Sequence, residues 1–179
     1  SQAARPKQYL AFGGGGSYLQ KALQRAAAVE PDLILVVTAD DQVDAVAEQS
    51  RAIDRLSQHV YIVGEPRGRN TAPAIALGAH VAKALLGDED ASPPHLLVLS
   101  SDHEIDPLQP FVADVADARA LADQGWMTTF GIPPTRAETG YGYLELGDEM
   151  AGGYRVAAFR EKPDQASAEQ FLTAGGFLW

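Results

Sequence analysis

Short apolar runs alternate with longer amphipathic stretches along this 179-residue chain. Four runs have the composition of buried strands: DLILVV (32–37), VYIV (60–63), HLLVLS (95–100) and MTTFGI (127–132). Residues with helical spacing between and after these runs predict helices over 18–28, 42–56, 72–86 and 110–122. Strands that alternate with helices of this length are typical of βαβ units, so we expect an α/β fold with a mostly parallel sheet.

Near the end of the chain the hydrophobic period changes. YGYLELG (141–147) and YRVAAFREKP (154–163) alternate with a period of two, which predicts antiparallel strands at the edge of the sheet. DQASAEQFLTAGG (164–176) predicts a helix that ends at glycine. Ser17 followed by Gln20 is the pattern of a capping box and predicts a helix start. We see no domain boundary and expect one domain over residues 1–179.

Composition and charge restrict the kinds of partner. Hydrophobic residues make up 46% of the chain and charged residues 21%, as in ordinary globular proteins. The net charge of −10 disfavours binding to nucleic acid or to an anionic membrane, so local positive groups must hold any anionic ligand. No apolar run approaches the roughly 20 residues of a membrane span, and no signal peptide is recognisable. We therefore expect a cytoplasmic protein without a membrane partner.

The segment GEPRGRNTAP places Arg67 and Arg69 just before a predicted helix start. Asn70 or Thr71 can cap that helix, and Pro73 suits its first turn. The two arginines are unfavourable beside the positive end of a helix, by up to about 1 kcal/mol each. A bound anion or an oxygen-rich ligand would reverse the sign of this interaction. The alternative is two solvated arginines in a loop.

The segment VLSSDHEID places Asp102 directly after a predicted strand. Ligands of open α/β sheets bind beyond the carboxyl ends of the strands, and Mg²⁺ is commonly held by one or two carboxylates together with substrate phosphates. Asp102 is therefore a candidate magnesium ligand. The alternative is an aspartate that caps the next turn.

Three shorter segments carry further candidates. RPKQYL contains Lys7 as a candidate, with a solvated loop lysine as the alternative. In ETGYGY, Gly140 next to Tyr141 lets a ligand approach the backbone, although a tight turn explains the glycine nearly as well. In FREKPD, Glu161 can accept hydrogen bonds from sugar hydroxyls and Lys162 can bind a phosphate, with an exposed ion pair as the alternative.

Taken together and in order, six segments resemble the sugar-1-phosphate nucleotidyltransferases, in particular the mannose-1-phosphate guanylyltransferases, including those fused to a phosphomannose isomerase domain. The segments are PKQYL, EPRGRNTAPAIAL, SSDHEI, FGIPPTRAETGYGYLELG, FREKPD and GGFLW. The resemblance covers nearly the whole chain, and its most specific blocks are RNTAP and ETGYGY. It implies a Rossmann-like three-layer sandwich with antiparallel edge strands. It also implies an Mg²⁺-dependent enzyme that converts GTP and mannose 1-phosphate into GDP-mannose and pyrophosphate.

The resemblance assigns the nucleotide to the first part of the chain. Lys7 is expected to contact the nucleotide phosphates, and Asp102 to hold Mg²⁺. The stretch Arg69-Asn70-Thr71 is expected beside the base, with Arg67 nearby.

The sugar phosphate is assigned to the second part of the chain. Gly140 and Tyr141 are expected to line the sugar pocket, and Glu161 and Lys162 to bind the mannose hydroxyls and the phosphate. Lys7, Asp102 and Lys162 would form the catalytic set, and all these residues are expected to converge in a single cleft.

Two motifs of the family are absent from the sequence. The Gly-Gly-x-Gly-Thr-Arg-Leu loop with its strand is expected before Ser1, and an Asn-Ser-Gly segment with a further metal-binding aspartate is expected after Trp179. We therefore expect a domain that is incomplete at both ends and an activity that belongs to the parent protein.

Several alternatives remain open at the level of the sequence. The enzyme could use another base or another sugar phosphate, or the domain could be a non-catalytic module that binds nucleotide-sugars. A receiver-like doubly wound domain fits the alternation of elements but leaves ETGYGY and EKPD unexplained. Exposed edge strands favour a homodimer.

Overall fold

The computed structural model describes residues 7–9, 16–53, 60–87 and 94–179, and the chain divides into two compact units, Ser1–Val112 and Ala113–Trp179. The α-helices and strands before residue 90 are α1 (Tyr18–Ala27), β1 (Ile34–Ala39), α2 (Val43–Arg51), β2 (Val60–Glu65) and α3 (Thr71–Leu86). Those after residue 90 are α4 (Leu108–Ala122), β3 (Tyr143–Met150), β4 (Gly153–Arg160), α5 (Gln165–Ala174) and β5 (Phe177–Leu178).

The start of α1 confirms the predicted capping box. The backbone N–H of Gln20 donates to the Ser17 hydroxyl at 3.2 Å, and the Ser17 N–H donates to Gln20 Oε1 at 2.9 Å. This reciprocal pair satisfies two donors that an uncapped helix leaves without partners. It fixes the orientation of α1, whose Leu19 and Leu23 form a buried cluster with Ile34 and Val46.

Strands β1 and β2 form a parallel pair, with Ile34 opposite Val60 and Ala39 opposite Glu65. Both predicted strands are thus present: β1 begins and ends two residues later than its pattern indicated, and β2 extends two residues further. Because the pair is parallel, the loops after Ala39 and Glu65 leave the same edge of the sheet. The loop that contains Arg67 and Arg69 therefore begins at the carboxyl end of this sheet.

The strand predictions for 95–100 and 127–132 are wrong, because neither segment forms a regular strand. A strand requires a hydrogen-bonded neighbour as well as apolar side chains. The first segment has none among the described residues, and its side chains Leu96 and Val98 are exposed. In the second, Ile132 and Trp179 exchange backbone hydrogen bonds of 3.0 and 2.8 Å.

Strands β3, β4 and β5 form an antiparallel sheet in the order β4-β3-β5. The period-two pattern of the sequence is thereby confirmed. Tyr143 is fully buried, and Phe171 stacks on Phe177 with 4.3 Å between ring centroids. Helix α5 begins as predicted after Asp164, whose carboxylate accepts from the Ser167 N–H at 2.8 Å, and its C-cap residue is Gly175.

The four earlier helices confirm the helical spacing, with one difference in length. Helices α1, α3 and α4 lie within two residues of the predicted bounds. The helix predicted over 42–56 is shorter, because a 3-10 turn occupies Asp40–Gln42 and α2 ends at Arg51, while residues 54–56 lie outside the described part. The α/β class with parallel and antiparallel strands is confirmed. No helix within the described ranges is long and apolar enough to cross a membrane.

Candidate functional site

The loop between β2 and α3 is an exposed cationic segment. Residues 66–70 are all exposed, and neither Arg67 nor Arg69 forms an ion pair with any described residue. The first turn of α3 contains no acidic residue. The free N–H groups of a helix start carry partial positive charge, so this segment combines two guanidinium groups with a second source of positive potential. It is suited to an anionic ligand.

Asn70 has a strained backbone at the start of α3. Its φ of 64° and ψ of −169° lie in a region that is essentially reserved for glycine. Asn70 occupies the N-cap position, but its side chain makes no capping hydrogen bond. The expectation of a side-chain cap from Asn70 is therefore wrong, because the positive φ is not the extended backbone that N-cap residues adopt. The amide of Asn70 remains available for another partner.

Asp102 lies in the irregular segment 94–107 that precedes α4. It is exposed and makes no hydrogen bond or ion pair with any described residue, so it does not cap the following turn. The backbone around it is held by α1, because Arg25 donates hydrogen bonds to the carbonyl oxygens of Ser100 and His103 at 3.2 Å each. Asp102 is thus an unpaired carboxylate on a braced segment.

The first unit contains a cavity of about 620 Å³. Its walls are mainly apolar and come from β1, from α1 and α3, and from residues 94–102. Thr71, at the start of α3, and Asp102 both line it. The structure therefore brings Thr71 and Asp102 to one cavity. Lys7 begins a short 3-10 helix, Lys7–Tyr9, but its side chain lies outside the described part.

The donor set around Asp102 fits Mg²⁺ only when a ligand contributes as well. Among the described residues, no three His, Cys, Asp or Glu side chains cluster in a way that could hold a metal ion. Glu104, two residues away, is paired with Lys21. Magnesium commonly takes one or two carboxylates and completes its shell with water and substrate phosphates. A single unpaired carboxylate such as that of Asp102 is compatible with this arrangement.

In the second unit, the loop before β3 is held by Glu138. Its carboxylate accepts from the Gly140 N–H at 3.0 Å and from Arg136 Nη2 at 2.9 Å, while its own N–H donates to the hydroxyl of buried Tyr143 at 2.9 Å. The Gly140 N–H is the largest cause that lowers the pKa of Glu138 from its ordinary value, followed by the hydrogen bond from Arg136. The turn that carries Gly140 is therefore fixed by an ionised carboxylate.

Tyr141 presents an aromatic surface next to this turn. The ring is 48% exposed and meets Trp179 edge-on, with 5.3 Å between centroids. Arg136 lies over the other ring of this pair, 5.3 Å from the centroid of Trp179. Such an arrangement restricts the Tyr141 ring, and Arg136 also forms a side-chain hydrogen bond with Tyr141.

Glu161 and Lys162 follow directly after β4. They form the exposed ion pair that was the alternative interpretation of the sequence, with 3.1 Å between Lys162 Nζ and Glu161 Oε1. More than 60% of each side chain is exposed. Exposed pairs of this kind contribute little stability, so a ligand can replace the contact at small cost. Tyr143 pairs with Arg160 in the ladder, which places Gly140, Tyr141, Glu161 and Lys162 at the same end of the β3–β4 pair.

Sequence reasoning did not single out Arg25 or Glu138. Arg25 stands among the apolar positions of α1, between Leu23 and the partly buried Ala26, and that position was the available signal of burial. Glu138 lies two residues before Gly140, where an acidic side chain can accept from the N–H groups of a turn. The long-range partners of both residues are not visible in the local pattern.

Comparisons with known proteins identify the family of this chain. The model of the nucleotidyl transferase family matches residues 2–179. The chain is 42% identical over 180 residues to mannose-1-phosphate guanylyltransferase RfbM of Salmonella typhimurium and 38% identical over 184 residues to a mannose-1-phosphate guanylyltransferase of Escherichia coli K12. Each alignment covers all of this chain, but only 36% and 37% of these curated relatives, so the chain spans little more than a third of their length.

Two solved structures have a similar fold. A Thermus thermophilus protein described as a mannose-1-phosphate geranyltransferase has a TM-score of 0.81 and 34% identity, over all of this chain and 50% of that one. A mannose-6-phosphate isomerase of Helicobacter pylori has a TM-score of 0.76 and 29% identity, over 98% of this chain and 64% of that one. With an α/β fold and a family match over nearly its full length, the chain belongs to the nucleotidyl transferase family.

Proposed function

We propose that the full-length protein transfers the guanylyl group of GTP to mannose 1-phosphate and releases pyrophosphate. The observation that carries this proposal is that Thr71, at the start of α3, and the unpaired carboxylate of Asp102 line one cavity within the first unit, while the exposed Arg67 and Arg69 precede that helix start. A nucleoside triphosphate with its metal ion needs both kinds of group. The relatives named mannose-1-phosphate guanylyltransferase, at about 40% identity, support guanine and mannose as the specific substrates.

The reaction needs no covalent intermediate on the protein. A phosphate oxygen of mannose 1-phosphate attacks the α-phosphorus of GTP in line, and the bond from this phosphorus to the oxygen that bridges to the β-phosphorus breaks. The electron pair of that bond leaves with pyrophosphate. Catalysis then depends on orienting the two phosphates and offsetting their negative charge.

The first unit would bind the nucleotide. Arg67 and Arg69 are exposed and unpaired among the described residues, and they would offset phosphate charge together with Lys7. Asn70 would contribute an amide beside the base. Mg²⁺, held by Asp102 and by phosphate oxygens, would supply the further positive charge that a protein of net charge −10 lacks overall.

The second unit would bind the sugar phosphate. The turn fixed by Glu138 presents Gly140, whose missing side chain leaves the backbone open to a hydroxyl group. Glu161 can accept from two sugar hydroxyls, and Lys162 can bind the phosphate as a point charge once their mutual ion pair opens. A structure of the full-length protein with GDP-mannose tests which of these residues contact the product.

A direct test uses the full-length protein with GTP, mannose 1-phosphate and Mg²⁺, and measures pyrophosphate release and GDP-mannose formation. Asp102→Asn is expected to lower kcat by about 10²- to 10³-fold, because it removes a charge from the metal ligand while it keeps the size of the side chain. Asp114→Asn, an exposed substitution of the same kind on α4, is the matched control and is expected to keep full activity. Normal turnover in Asp102→Asn would contradict the metal assignment.

Assays on the same full-length protein distinguish two alternative functions. Consumption of UTP or dTTP, or of another hexose 1-phosphate, in preference to GTP and mannose 1-phosphate would identify a different nucleotidyltransferase. Calorimetric binding of GDP-mannose without any pyrophosphate release would identify a non-catalytic module.

Our proposal includes action in the cytoplasm and a homodimer through an exposed edge strand such as β4. Light scattering of the full-length protein tests the homodimer.

A further inference from the structure

Helix α1 contains a buried cation that the proposed reaction does not use directly. Arg25 is only 3% exposed and lies on the same helix as the core residues Leu19 and Leu23. Burial lowers the pKa of its guanidinium group from the ordinary value, which reflects the cost of removing a charge from water. A charge is retained in such a place only when its partners compensate for the lost hydration.

The partners of Arg25 lie on both sides of Asp102. Nη1 donates to the carbonyl oxygen of His103 and Nη2 donates to the carbonyl oxygen of Ser100, each at 3.2 Å. One planar group thereby holds two carbonyls that bracket the candidate metal ligand. The buried Nε has no acceptor among the described residues, so these two contacts account for the hydrogen bonds of the guanidinium there.

A second residue of α1 acts on the same segment. Lys21 lies one helical turn before Arg25 and forms an ion pair with Glu104. This pair is exposed and therefore contributes little, whereas the Arg25 contacts are partly buried and geometrically fixed. Residues 94–104 have no strand ladder among the described residues that could orient them. The best-defined contacts that orient them are the two hydrogen bonds from the guanidinium group of Arg25.

We propose that Arg25 is a positioning residue that orients the carboxylate of Asp102 for cation binding by fixing the backbone carbonyls on either side of it. The inference rests on the proposed function, because it assigns Asp102 the role of metal ligand. A displacement of about 1 Å in a catalytic group can cost about 10²-fold in rate. Residues that orient metal ligands typically change metal affinity or activity by about 10- to 100-fold when replaced.

The test replaces the guanidinium group of Arg25, with its two parallel donors, and keeps the positive charge of the side chain. Arg25→Lys in the full-length protein retains a long cationic side chain but offers a single ammonium in place of two parallel donors. Binding of Mn²⁺ in the presence of GTP, measured by electron paramagnetic resonance, is expected to weaken about tenfold, and kcat is expected to fall about 10- to 100-fold. The KM for mannose 1-phosphate is expected to stay within about twofold, because none of the residues proposed to bind the sugar phosphate is touched.

Two further variants show what the effect is due to. Arg155→Lys makes the same change at an exposed arginine over Trp126 and is expected to leave Mn²⁺ binding and kcat unchanged. Glu104→Gln removes the exposed ion pair and is expected to change Mn²⁺ binding by less than about threefold. An effect of Glu104→Gln as large as that of Arg25→Lys would overturn the inference, and so would a folded Arg25→Lys protein with unchanged Mn²⁺ affinity and kcat.

A measurement on the unsubstituted protein covers the case in which Arg25→Lys does not fold. Addition of Mg²⁺ and GTP is expected to shift the guanidinium NMR signals of Arg25, and Asp102→Asn is expected to abolish that shift. Unchanged Arg25 signals on cation binding would overturn the positioning role. Failure of the proposed function looks different, because the unsubstituted protein would then form no GDP-mannose and Asp102→Asn would bind Mn²⁺ normally.

Discussion

Asn70 holds a backbone conformation that asparagine rarely adopts, and replacing it by glycine separates backbone strain from ligand binding. Its φ of 64° with ψ of −169° costs a non-glycine residue about 1–3 kcal/mol. The side chain makes no capping hydrogen bond that would offset this cost. Asn70→Gly therefore removes the strain and, with it, the side-chain amide.

The two effects have opposite signs. Relief of strain raises the free energy of unfolding by about 1–3 kcal/mol, while the greater freedom of glycine in the unfolded chain takes back about 0.4–1 kcal/mol. The net stabilisation is therefore between about 0 and about 2.6 kcal/mol. Loss of one amide contact to the nucleotide costs about 1–2 kcal/mol of binding, which raises the KM for GTP by about 5- to 30-fold.

The assay compares the thermal unfolding and the GTP dependence of GDP-mannose formation for the full-length protein and its variants. Glu30→Gly is the matched control, because Glu30 also has a positive φ, of 51°, but follows α1 away from the β2–α3 loop. It is expected to stabilise the protein without changing the KM for GTP. An Asn70→Gly protein that is destabilised by more than about 1 kcal/mol refutes the strain argument. An Asn70→Gly protein with an unchanged KM refutes the role of Asn70 in nucleotide binding.

Two further predictions test the supports of the site. A β-carbon at Gly64 would lie 2.1 Å from Asp40 Oδ1, so Gly64→Ala is expected to lower the free energy of unfolding by about 1–3 kcal/mol. A β-carbon at Gly68 would meet nothing within 4 Å, so Gly68→Ala is expected to change this free energy by less than about 0.5 kcal/mol. Denaturant unfolding of the two variants measures the difference. Hydrogen bonds lower the pKa of Glu138 below its ordinary value of 4.5, so its stabilising contribution is present above that value and is lost as the pH falls through the folded-state pKa. The amide NMR signal of Gly140 is expected to titrate with a midpoint below 4.5, and a midpoint above it would contradict this assignment.

The helices and the edge strands could be predicted from the sequence because their signals are local. Helix α1 carries its own capping box at Ser17 and Gln20, and helix α5 has Asp164 before it and Gly175 after it. The alternation over β3 and β4 reflects the two faces of each strand and needs no knowledge of the neighbours. Helix caps and strand alternation depend on a few consecutive residues, so the local sequence pattern is sufficient to predict them.

The errors concern features that depend on distant partners. Residues 95–100 have the composition of a strand, but whether a strand forms is decided by a neighbour that the segment itself does not encode. The two-residue strand β5 was not predicted, because it is defined only by its pairing with Leu144 and Glu145. The same limit applies to Arg25, whose hydrogen-bond partners, Ser100 and His103, are distant in the sequence.

Backbone strain supports the candidate site independently of any similarity to other proteins. In the described part of the chain, three residues other than glycine have a positive φ: Glu30, Asn70 and Lys162. Glu30 belongs to the turn that ends α1, where left-handed residues are common. Asn70 and Lys162 instead follow strands β2 and β4, in the two loops to which we assign the nucleotide and the sugar phosphate.

Both of these residues are exposed, so no buried contact explains why glycine is not used there. Strain of this kind persists where the surrounding structure imposes it, and strained residues are concentrated at binding and catalytic sites. An asparagine amide and a lysine ammonium are the kinds of group that a nucleotide base and a phosphate require. The positive φ of Asn70 and Lys162 is therefore consistent with the roles that we propose for these two side chains.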